Sequence, residues 1–588
     1  MKNFSARMRV KNKQVAIHSA TRQVAELDNP QNWHTVFNPV LNRLASISSD
    51  LGSSTTTVKT ENSTDVQQVY PLLHMPPPDI YRLPLVYRST NLHPCVNTGD
   101  YVSSAQALAH LGFDPVDNTP LPGLPSPVSG KVISNEVFVQ FETDKPAVRC
   151  IEIESETDKS TPTIGNQDNS SHVNPLPCYW QSQPWSSADH TERVELLLLS
   201  GISGHGGGGF LLANKLTHSI DTLIINAVEC EPLISCDATL IAHGTKTVAQ
   251  GILSLVDMTA CTNCHIAIEN HSDVSVANGL WQQHALQEAI DQLIKQAPDK
   301  STAALKALAQ RISFYKVESG YPSGAEKQLI PLITGKIYSD PPVESGIACV
   351  NIATCDAVDQ LTSSGKAPCK RIVTLCGDVV AEKTGRTSIN IDIHFGTLVR
   401  DVLAFVGLPS KSVRIIRGGP VCGQEIASLD APIQAYTNCL VITKTAAQTA
   451  SDNCIRCGDC RDVCPANLLP QDLYRFTQIG DLESASQLRL DQCMLCGCCD
   501  LVCPSHIPLT AQFRQAMQQQ KQSDHDLRKA ALAEKHYERH QQRLQLKEQR
   551  RAEKVAERRR VTDDSAAKKQ AISDALARAR KSSGSKSD

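Results

Sequence analysis

The sequence predicts a multidomain protein, α/β and α+β in its larger part, followed by a helical cysteine-rich unit and a charged, disordered or helical tail. Three observations predict it. The chain has 588 residues, too many for one hydrophobic core. Between residues 190 and 360 apolar strand-like runs alternate with segments of helical period. Eight of the 22 cysteines fall in two blocks of identical spacing.

Taken in order, residues 1–70 are rich in Ser, Thr, Asn and Gln and read as a weakly ordered extension. Basic residues (Lys2, Arg7, Arg9, Lys11, Lys13) open the chain, but no continuous apolar stretch follows, so a signal peptide is not expected; an organellar transit peptide is the alternative. Residues 71–175 hold short apolar pieces broken by Pro and Gly, with an alternating run from Lys131 to Phe141, the pattern of a small β domain. The polar stretch 156–175 reads as a linker.

Residues 185–365 form the α/β unit. Glu195–Leu199 reads as a buried strand leading into the glycine-rich turn Gly201–Phe210, and Asp221–Val228 as a second buried strand. Helical periods cover Gln282–Gln296 and Thr302–Ile312. In residues 366–445, strands are expected at Arg371–Cys376, Ser388–Ile393 and Ser412–Arg417, with a helix at Thr397–Val406, a small α+β unit. Residues 446–515 hold the cysteine blocks. Residues 516–588 form a charged tail: Leu527–Arg560 alone contains 12 basic and 5 acidic residues, so a solvated, partly helical segment is expected.

Composition excludes some functions. Aromatics are 4 % and net charge is −3, which leaves neither the stacking platform nor the global field of a nucleic-acid binder. Apolar runs are far shorter than a membrane span, so any membrane association is expected to be peripheral.

The cysteine blocks read Cys454-x2-Cys457-x2-Cys460-x3-Cys464-Pro465 and Cys493-x2-Cys496-x2-Cys499-x3-Cys503-Pro504, offset by 39 positions. Three close thiolates can wrap one face of a cubane, and in two-cluster proteins the fourth cysteine ligates the other cluster. Cys454, Cys457, Cys460 and Cys503 are therefore expected to hold one [4Fe–4S] cluster, and Cys493, Cys496, Cys499 and Cys464 a second. Structural zinc does not need the third cysteine or the trailing Cys-Pro. Cys498, beside Cys499, reads as a spare small residue. Between the blocks, Leu473, Phe476, Ile479 and Leu482 have helical spacing, so a helical variant of the two-cluster ferredoxin is expected. Cys261-Thr-Asn-Cys264-His265 matches a haem-attachment pattern, but the run after it reads as a strand. Cys230, Cys236, Cys349, Cys376 and Cys422 read as small buried residues.

The turn Gly201-Ile-Ser-Gly204-His-Gly206-Gly-Gly-Gly209-Phe210 could bring backbone N–H groups against a phosphate or a flat ring. Lys215 lies nearby. Asn226-Ala-Val-Glu229-Cys-Glu231-Pro232 ends a predicted strand, where α/β ligands bind. A third polar loop is Tyr321-Pro-Ser-Gly-Ala-Glu326-Lys327. The bland alternative is a solvated loop.

These three loops resemble the flavin- and NADH-binding subunit of respiratory complex I. With the two blocks and the run Cys503-Pro-Ser-His-Ile-Pro508, residues 71–520 resemble the C-subunit of the Rnf (Rsx) ion-translocating electron transport complexes. Ser126–Val132 resembles that family's barrel-sandwich domain and Arg417–Gly423 its β-grasp (SLBB) domain. The resemblance implies a Rossmann-like α/β flavin domain and NADH oxidation at FMN. One-electron transfer through two [4Fe–4S] clusters to integral-membrane and other subunits, or to ferredoxin, would follow. It implies a peripheral place on the cytoplasmic face of a bacterial inner membrane. By matching positions, Gly204, Gly206, Gly207, Gly209, Lys215, Asn226, Glu229, Glu231 and Glu326 become the flavin or nucleotide candidates; no catalytic residue is assigned. The chain departs from the family's Gly-Gly-Ala-Gly-Phe-Pro-Thr: Gly208 replaces the alanine, Leu211-Leu212 replace Pro-Thr, His205 is bulky, and Ala325 stands where glycine is usual. Two alternatives stay open: a soluble flavin and iron–sulfur reductase of the cobalamin-reductase type, and a cluster-bearing scaffold that has lost flavin.

Overall fold

The computed structural model describes residues 70–87, 90–109, 122–142, 145–156, 185, 188–270, 281–318, 320–338, 341–445 and 450–583. The predicted extension 1–70 lies outside these residues except for Tyr70, as does nearly all of the predicted linker. The described chain divides into a body ending at Met517 and a helical unit beginning at Gln518.

Within the body the first strand, β1 (Leu72–His74), does not stay with the β unit that follows; it pairs in parallel with a strand far along the chain. β2 (Ile80–Pro84), β3 (Tyr101–Val102), β4 (Gly130–Val139) and β5 (Val148–Ser155) form an antiparallel sheet in the order β2-β5-β4-β3. Alternate residues such as Tyr81, Leu83, Val132, Ile151 and Ile153 meet in its core.

The leucine run expected as a strand is instead helical: α1 spans His190–Leu199. Asp189 accepts from the Glu192 N–H and the Glu192 side chain accepts from the Asp189 N–H, a closed capping box. Leucine is not β-branched and loses little rotamer freedom in a helix, so the cap decides. The glycine turn thus follows a helix, and it runs into the short α2 (Leu212–Leu216).

The α/β sheet behaves as expected. β6 (Thr222–Ala227) leads through α3 (Cys236–Thr259) to β7 (Asn263–Asn270). α4 (Trp281–Gln296) and α5 (Asp299–Ala309) then lead to β8 (Ile312–Glu318), and α6 (Glu326–Thr334) to β9 (Ile347–Asn351) and α7 (Ile352–Ser364). All four strands are parallel, in the order β8-β7-β6-β9. Both faces are buried: Leu223 and Ile225 enter one core and Ile224 the other, which explains the unbroken apolar run. Cys261 and Cys264 of the haem-like pattern are buried, Cys264 within β7. Because the chain leaves β6 towards β7 and later returns to β9 on its other side, the strand order reverses between β6 and β9 while all strands stay parallel. That reversal opens a crevice at the strand ends.

A mixed sheet follows. β10 (Lys370–Cys376), α8 (Asp378–Thr384), β11 (Ser388–His394), α9 (Val399–Val406), β12 (Val413–Arg417), β13 (Gln424–Glu425) and β14 (Cys439–Lys444) give the sheet order β1-β11-β10-β14-β12-β13. The cysteine unit holds α10 (Asp459–Asp462), α11 (Pro470–Gln478), α12 (Leu482–Gln487) and α13 (Cys498–Val502). Its duplication is visible in the backbone. Left-handed residues recur at Arg456 and Leu495, Gly458 and Gly497, Asn467 and His506, each pair 39 apart.

α14 (Leu509–Ser583) begins inside the body, where Phe513 and Ala516 are buried. From Gln518 it forms the second unit, a polar helix exposed almost throughout. The expected partly helical tail is therefore helical to Ser583. No helix among the described residues is long and apolar enough to cross a membrane.

Candidate functional site

The glycine turn closes on itself. The Gly204 N–H donates to the Phe210 carbonyl (2.6 Å) and the Leu212 N–H to Ile202 (3.0 Å). Gly207 takes φ +95° at its tip, a conformation side chains resist. Beneath, His205 is fastened from both sides: its N–H donates to Thr354 Oγ1 (3.0 Å), and its carbonyl accepts from the Arg371 guanidinium (2.8 Å). The His205 ring is 2 % exposed and meets Phe395 edge-on. Burial and the Arg371 charge push its pKa down to about 3, so it is neutral. The bulky histidine is thus an anchor of the turn. Leu211 and Leu212 are likewise buried core residues. Ala325 has φ −68°, ordinary for alanine, so the missing glycine there costs no backbone strain.

The turn, the end of β6, the loop before α6 and the end of β9 enclose a cavity of about 450 Å³, within the range of small-molecule sites. Gly204, Gly206, Gly209, Lys215, Asn226, Glu229, Glu231 and Glu326 all line it; Gly207 does not. The candidate charges are already engaged. Lys215 Nζ donates to Glu326 Oε2 and to the Cys349 carbonyl, both at 2.8 Å. Glu229 accepts from the Asp237 and Ala238 N–H groups at the start of α3 (2.9 and 3.1 Å). Glu231 Oε1 accepts from the Val421 and Cys422 N–H groups (2.8 and 2.9 Å), and Oε2 from the Cys422 thiol (3.0 Å). Asn226 Nδ2 donates to the Gly324 carbonyl (2.8 Å). The loops are therefore locked to one another by the residues that the sequence singles out, and the turn's backbone faces the cavity.

Cys236, Cys349 and Cys376 are buried as expected. Cys230 and Cys422 are not spare packing: both line the cavity, Cys230 Sγ accepting from the Gly324 N–H and Cys422 bonding Glu231. Tyr321, Asn351 and Cys422 are wall residues that the sequence reading missed. Asn351 had a local signal, an N-cap before α7, and Tyr321 stood in a loop already noted. Cys422 had none, because it comes from the mixed sheet's loop.

Glu229 and Asp237 share one end of the cavity. Burial, then the Asp237 charge, pushes Glu229 up to about 8. Its ordinary unfolded value is about 4.3. A carboxyl raised on folding binds more protons in the native state, so its stabilisation is complete below the unfolded value and is lost as pH rises towards 8. Asp237 is also raised, chiefly by burial, and acts in the same sense. Between pH 5 and pH 8 the melting temperature should fall less in Glu229→Gln than in wild type. An unchanged slope in thermal melts would rule Glu229 out as the source.

Two smaller cavities lie in the cysteine unit. Cys454, Cys457, Cys460 and Cys503 line one; Cys464, Cys493, Cys496 and Cys499 line the other, with Cys498 beside them. The fourth cysteine of each block thus stands with the other block's three. Four thiols around each cavity fit the donor set of a [4Fe–4S] cluster. Cys454 and Cys457 are exposed, so the first cavity opens to solvent. The second abuts the large cavity: Met494 and Cys496 belong to both walls, and the Tyr321 hydroxyl donates to the Cys496 carbonyl (2.6 Å).

Residues 198–360 match the family model of the Nuo51 FMN-binding domain, and residues 453–507 that of the 4Fe-4S dicluster domain. Among curated proteins, the chain is similar to three that are each described as the C-subunit of an ion-translocating oxidoreductase complex. That of Erwinia tasmaniensis is 33 % identical over 387 residues, 64 % of this chain and 45 % of that protein. That of Pseudomonas aeruginosa is 31 % identical over 469 residues, 78 % and 54 %. That of Salmonella arizonae is 32 % identical over 497 residues, 82 % and 66 %. The chain spans about half the length of the curated relatives it matches.

Proposed function

We propose, from the premise that this chain is a sequence relative of the C-subunits of the ion-translocating oxidoreductase complexes, that it is the component passing electrons between NADH and partner subunits. FMN would lie in the large cavity and two [4Fe–4S] clusters in the smaller ones. The observation that carries the reading is the shared wall. Cys496, a candidate cluster ligand, also lines the cavity framed by the glycine turn, so the two redox sites adjoin.

Bound FMN supplies the conversion between a hydride's electron pair and single electrons; the protein supplies position and electrostatics. The turn from Gly204 to Gly209 would present backbone N–H groups to the flavin. Asn226 and Glu229 at the end of β6, with Glu326 and Lys215 across the cavity, would hold flavin and nucleotide. Glu231 positions the wall. Cys464, Cys493, Cys496 and Cys499 would hold the cluster nearest the flavin. Cys454, Cys457, Cys460 and Cys503 would hold the outer one, whose exposed rim suits a partner subunit or ferredoxin. The antiparallel and mixed sheets support assigning 71–175 as barrel-sandwich-like and 366–445 as β-grasp, with 185–365, 446–515 and 516–588 as flavin, dicluster and tail segments. The tail's 12 basic against 5 acidic residues between Leu527 and Arg560 support a peripheral position at the cytoplasmic face of a bacterial inner membrane.

Anaerobic purification with iron, sulfide and flavin assayed together tests this. About eight irons with one FMN, bleached by NADH, is expected. About eight irons without FMN after reconstitution would leave only a relay.

A further inference from the structure

Residues 321–328 do two things at once. Tyr321, Pro322, Gly324, Ala325 and Glu326 line the large cavity. From the same short segment three side chains reach into the cysteine unit, and each ends on a backbone carbonyl. The Tyr321 hydroxyl donates to Cys496 (2.6 Å), Lys327 Nζ to Asp491 (2.8 Å) and Gln328 Nε2 to Pro465 (2.8 Å). These acceptors lie 137 to 175 positions further along the chain. Cys496 is itself a proposed ligand of the inner cluster, the one nearest the flavin. Pro465 adjoins Cys464, and Asp491 stands two residues before Cys493. Three of that cluster's four proposed ligands are thus tethered, at or beside their own backbone, to the wall of the flavin cavity.

Gln328 is the least replaceable of the three. Lys327 is exposed, so water can take its place at the Asp491 carbonyl. Tyr321 also belongs to the cavity wall. Gln328 is 6 % exposed, on the buried stretch of α6 with Leu329 and Ile330, and is not one of the residues lining the cavity. Its amide nitrogen carries two hydrogens. Besides the Pro465 carbonyl, that nitrogen meets Met494 Sδ at 3.9 Å. Pro465 belongs to the first block. Met494 belongs to the second, and to the walls of both cavities. One buried nitrogen therefore joins the crossing strand that carries Cys464 to the residue that separates the two cavities.

We propose that Gln328 is a positioning residue for the passage of electrons between the flavin and the inner cluster. It fixes the cage of Cys464, Cys493, Cys496 and Cys499 at one distance from the flavin wall and takes no part in the reaction of the flavin with NADH. The step it serves moves one electron: the flavin is oxidised by one, the cluster reduced by one, and no bond between them forms or breaks. The rate of such a step depends steeply on separation, so loosening the tether acts on the rate and leaves cofactor binding alone. The role rests on the reading of the large cavity as the flavin site and of these four cysteines as ligands.

The test compares the full chain, reconstituted anaerobically, as wild type, Gln328→Met and Gln328→Asn. Methionine keeps the length and removes both N–H donors; asparagine keeps the amide on a shorter stem. All three should hold about eight irons and one FMN. Stopped-flow bleaching of the flavin by NADH should keep its rate and KM. Reduction of the inner cluster, followed by freeze-quench EPR, should slow severalfold in Gln328→Met and less in Gln328→Asn. Hydrogen–deuterium exchange at residues 464–468 and 491–497 should quicken in the same order. Cluster reduction at the wild-type rate in Gln328→Met overturns the proposal. Equal slowing of bleaching and cluster reduction overturns it too, making Gln328 a packing residue. So does loss of about four irons in both variants, which makes it a support of the cage itself. Where only Gln328→Met loses iron, the same rates in Gln328→Asn decide. A wild-type chain with about eight irons and no FMN overturns the flavin reading, and the proposal with it.

Discussion

A Cys464→Ala chain is expected to lose the cluster of the second block, although Cys464 belongs to the first. Iron should fall from about eight to about four per chain, and the surviving EPR signal should be that of the outer, solvent-facing cluster. The reason is geometric. Cys464 lines the cavity of Cys493, Cys496 and Cys499, and not that of its own block's other three cysteines. The chain turns inward after α10, and the Leu468 N–H points at the Cys464 sulfur (3.4 Å). Cys503→Ala is the reciprocal case and should remove the outer cluster. Each exchange ties one block to the other around the core of Leu473, Leu490 and Phe513, so both variants should also unfold the unit more readily. Loss of the outer cluster in Cys464→Ala would refute the crossed arrangement. Because the inner cavity shares Cys496 with the flavin site, Cys464→Ala should abolish electron exit while leaving bleaching of the flavin by NADH intact.

The second large effect is expected at a residue outside both cysteine blocks. A methyl group at Gly419 would stand 1.9 Å from the Glu231 carboxyl carbon and 2.1 and 2.3 Å from its oxygens. Gly419 does not use a left-handed conformation, so alanine itself is not strained there. The cost comes from evicting the carboxylate, which strands the Val421 and Cys422 N–H groups. A stranded buried donor costs about 1–3 kcal/mol and these two are half-buried, so Gly419→Ala should lose about 2–4 kcal/mol of stability, the lower part of that range for two groups. The same loop supplies Cys422 to the large cavity, and its Val421 carbonyl lies against Gly497 of the second block. Flavin affinity should therefore fall about tenfold or more, since that takes only about 1.4 kcal/mol of misplacement. Thermal melting and FMN fluorescence quenching measure the two effects. Wild-type values in both would show that Glu231 does not hold this wall.

Much of this site was legible in the sequence for a physical reason. Ligand spacing within a few residues is a local property. C-x2-C-x2-C-x3-C-P, repeated 39 positions on, has few chemical uses, and the crossed pairing of Cys464 and Cys503 was expected from the way two-cluster proteins share their fourth cysteines. The strands β6, β10, β11 and β12 were legible because burial selects branched apolar residues in short runs. The glycine turn and the Asn-Ala-Val-Glu-Cys-Glu-Pro segment were legible from residue type and position, and both fall within residues 198–360, which match the Nuo51 FMN-binding domain. The leucine run of α1 was misread because four adjacent leucines carry no period; the Asp189 and Glu192 cap that decides it lies at the other end of the helix.

The tertiary structure decided what the singled-out residues do. Glu229, Glu231 and Lys215 were singled out as flavin or nucleotide candidates, and the fold also gives each a protein partner: Glu231 has Val421 and Cys422, Lys215 has Glu326 and Cys349, and Glu229 has the start of α3. β1 was assigned to its sequence neighbours and pairs instead with β11. Cys498 looked spare, and the fold buries it among Tyr321, Val463 and Val502. By itself the sequence determined the chemistry, because thiolate spacing and backbone-exposing glycines are short-range facts. Adjacency between the two cavities, through Cys496 and Met494, arose only from folding, because it depends on contacts between segments far apart in the chain.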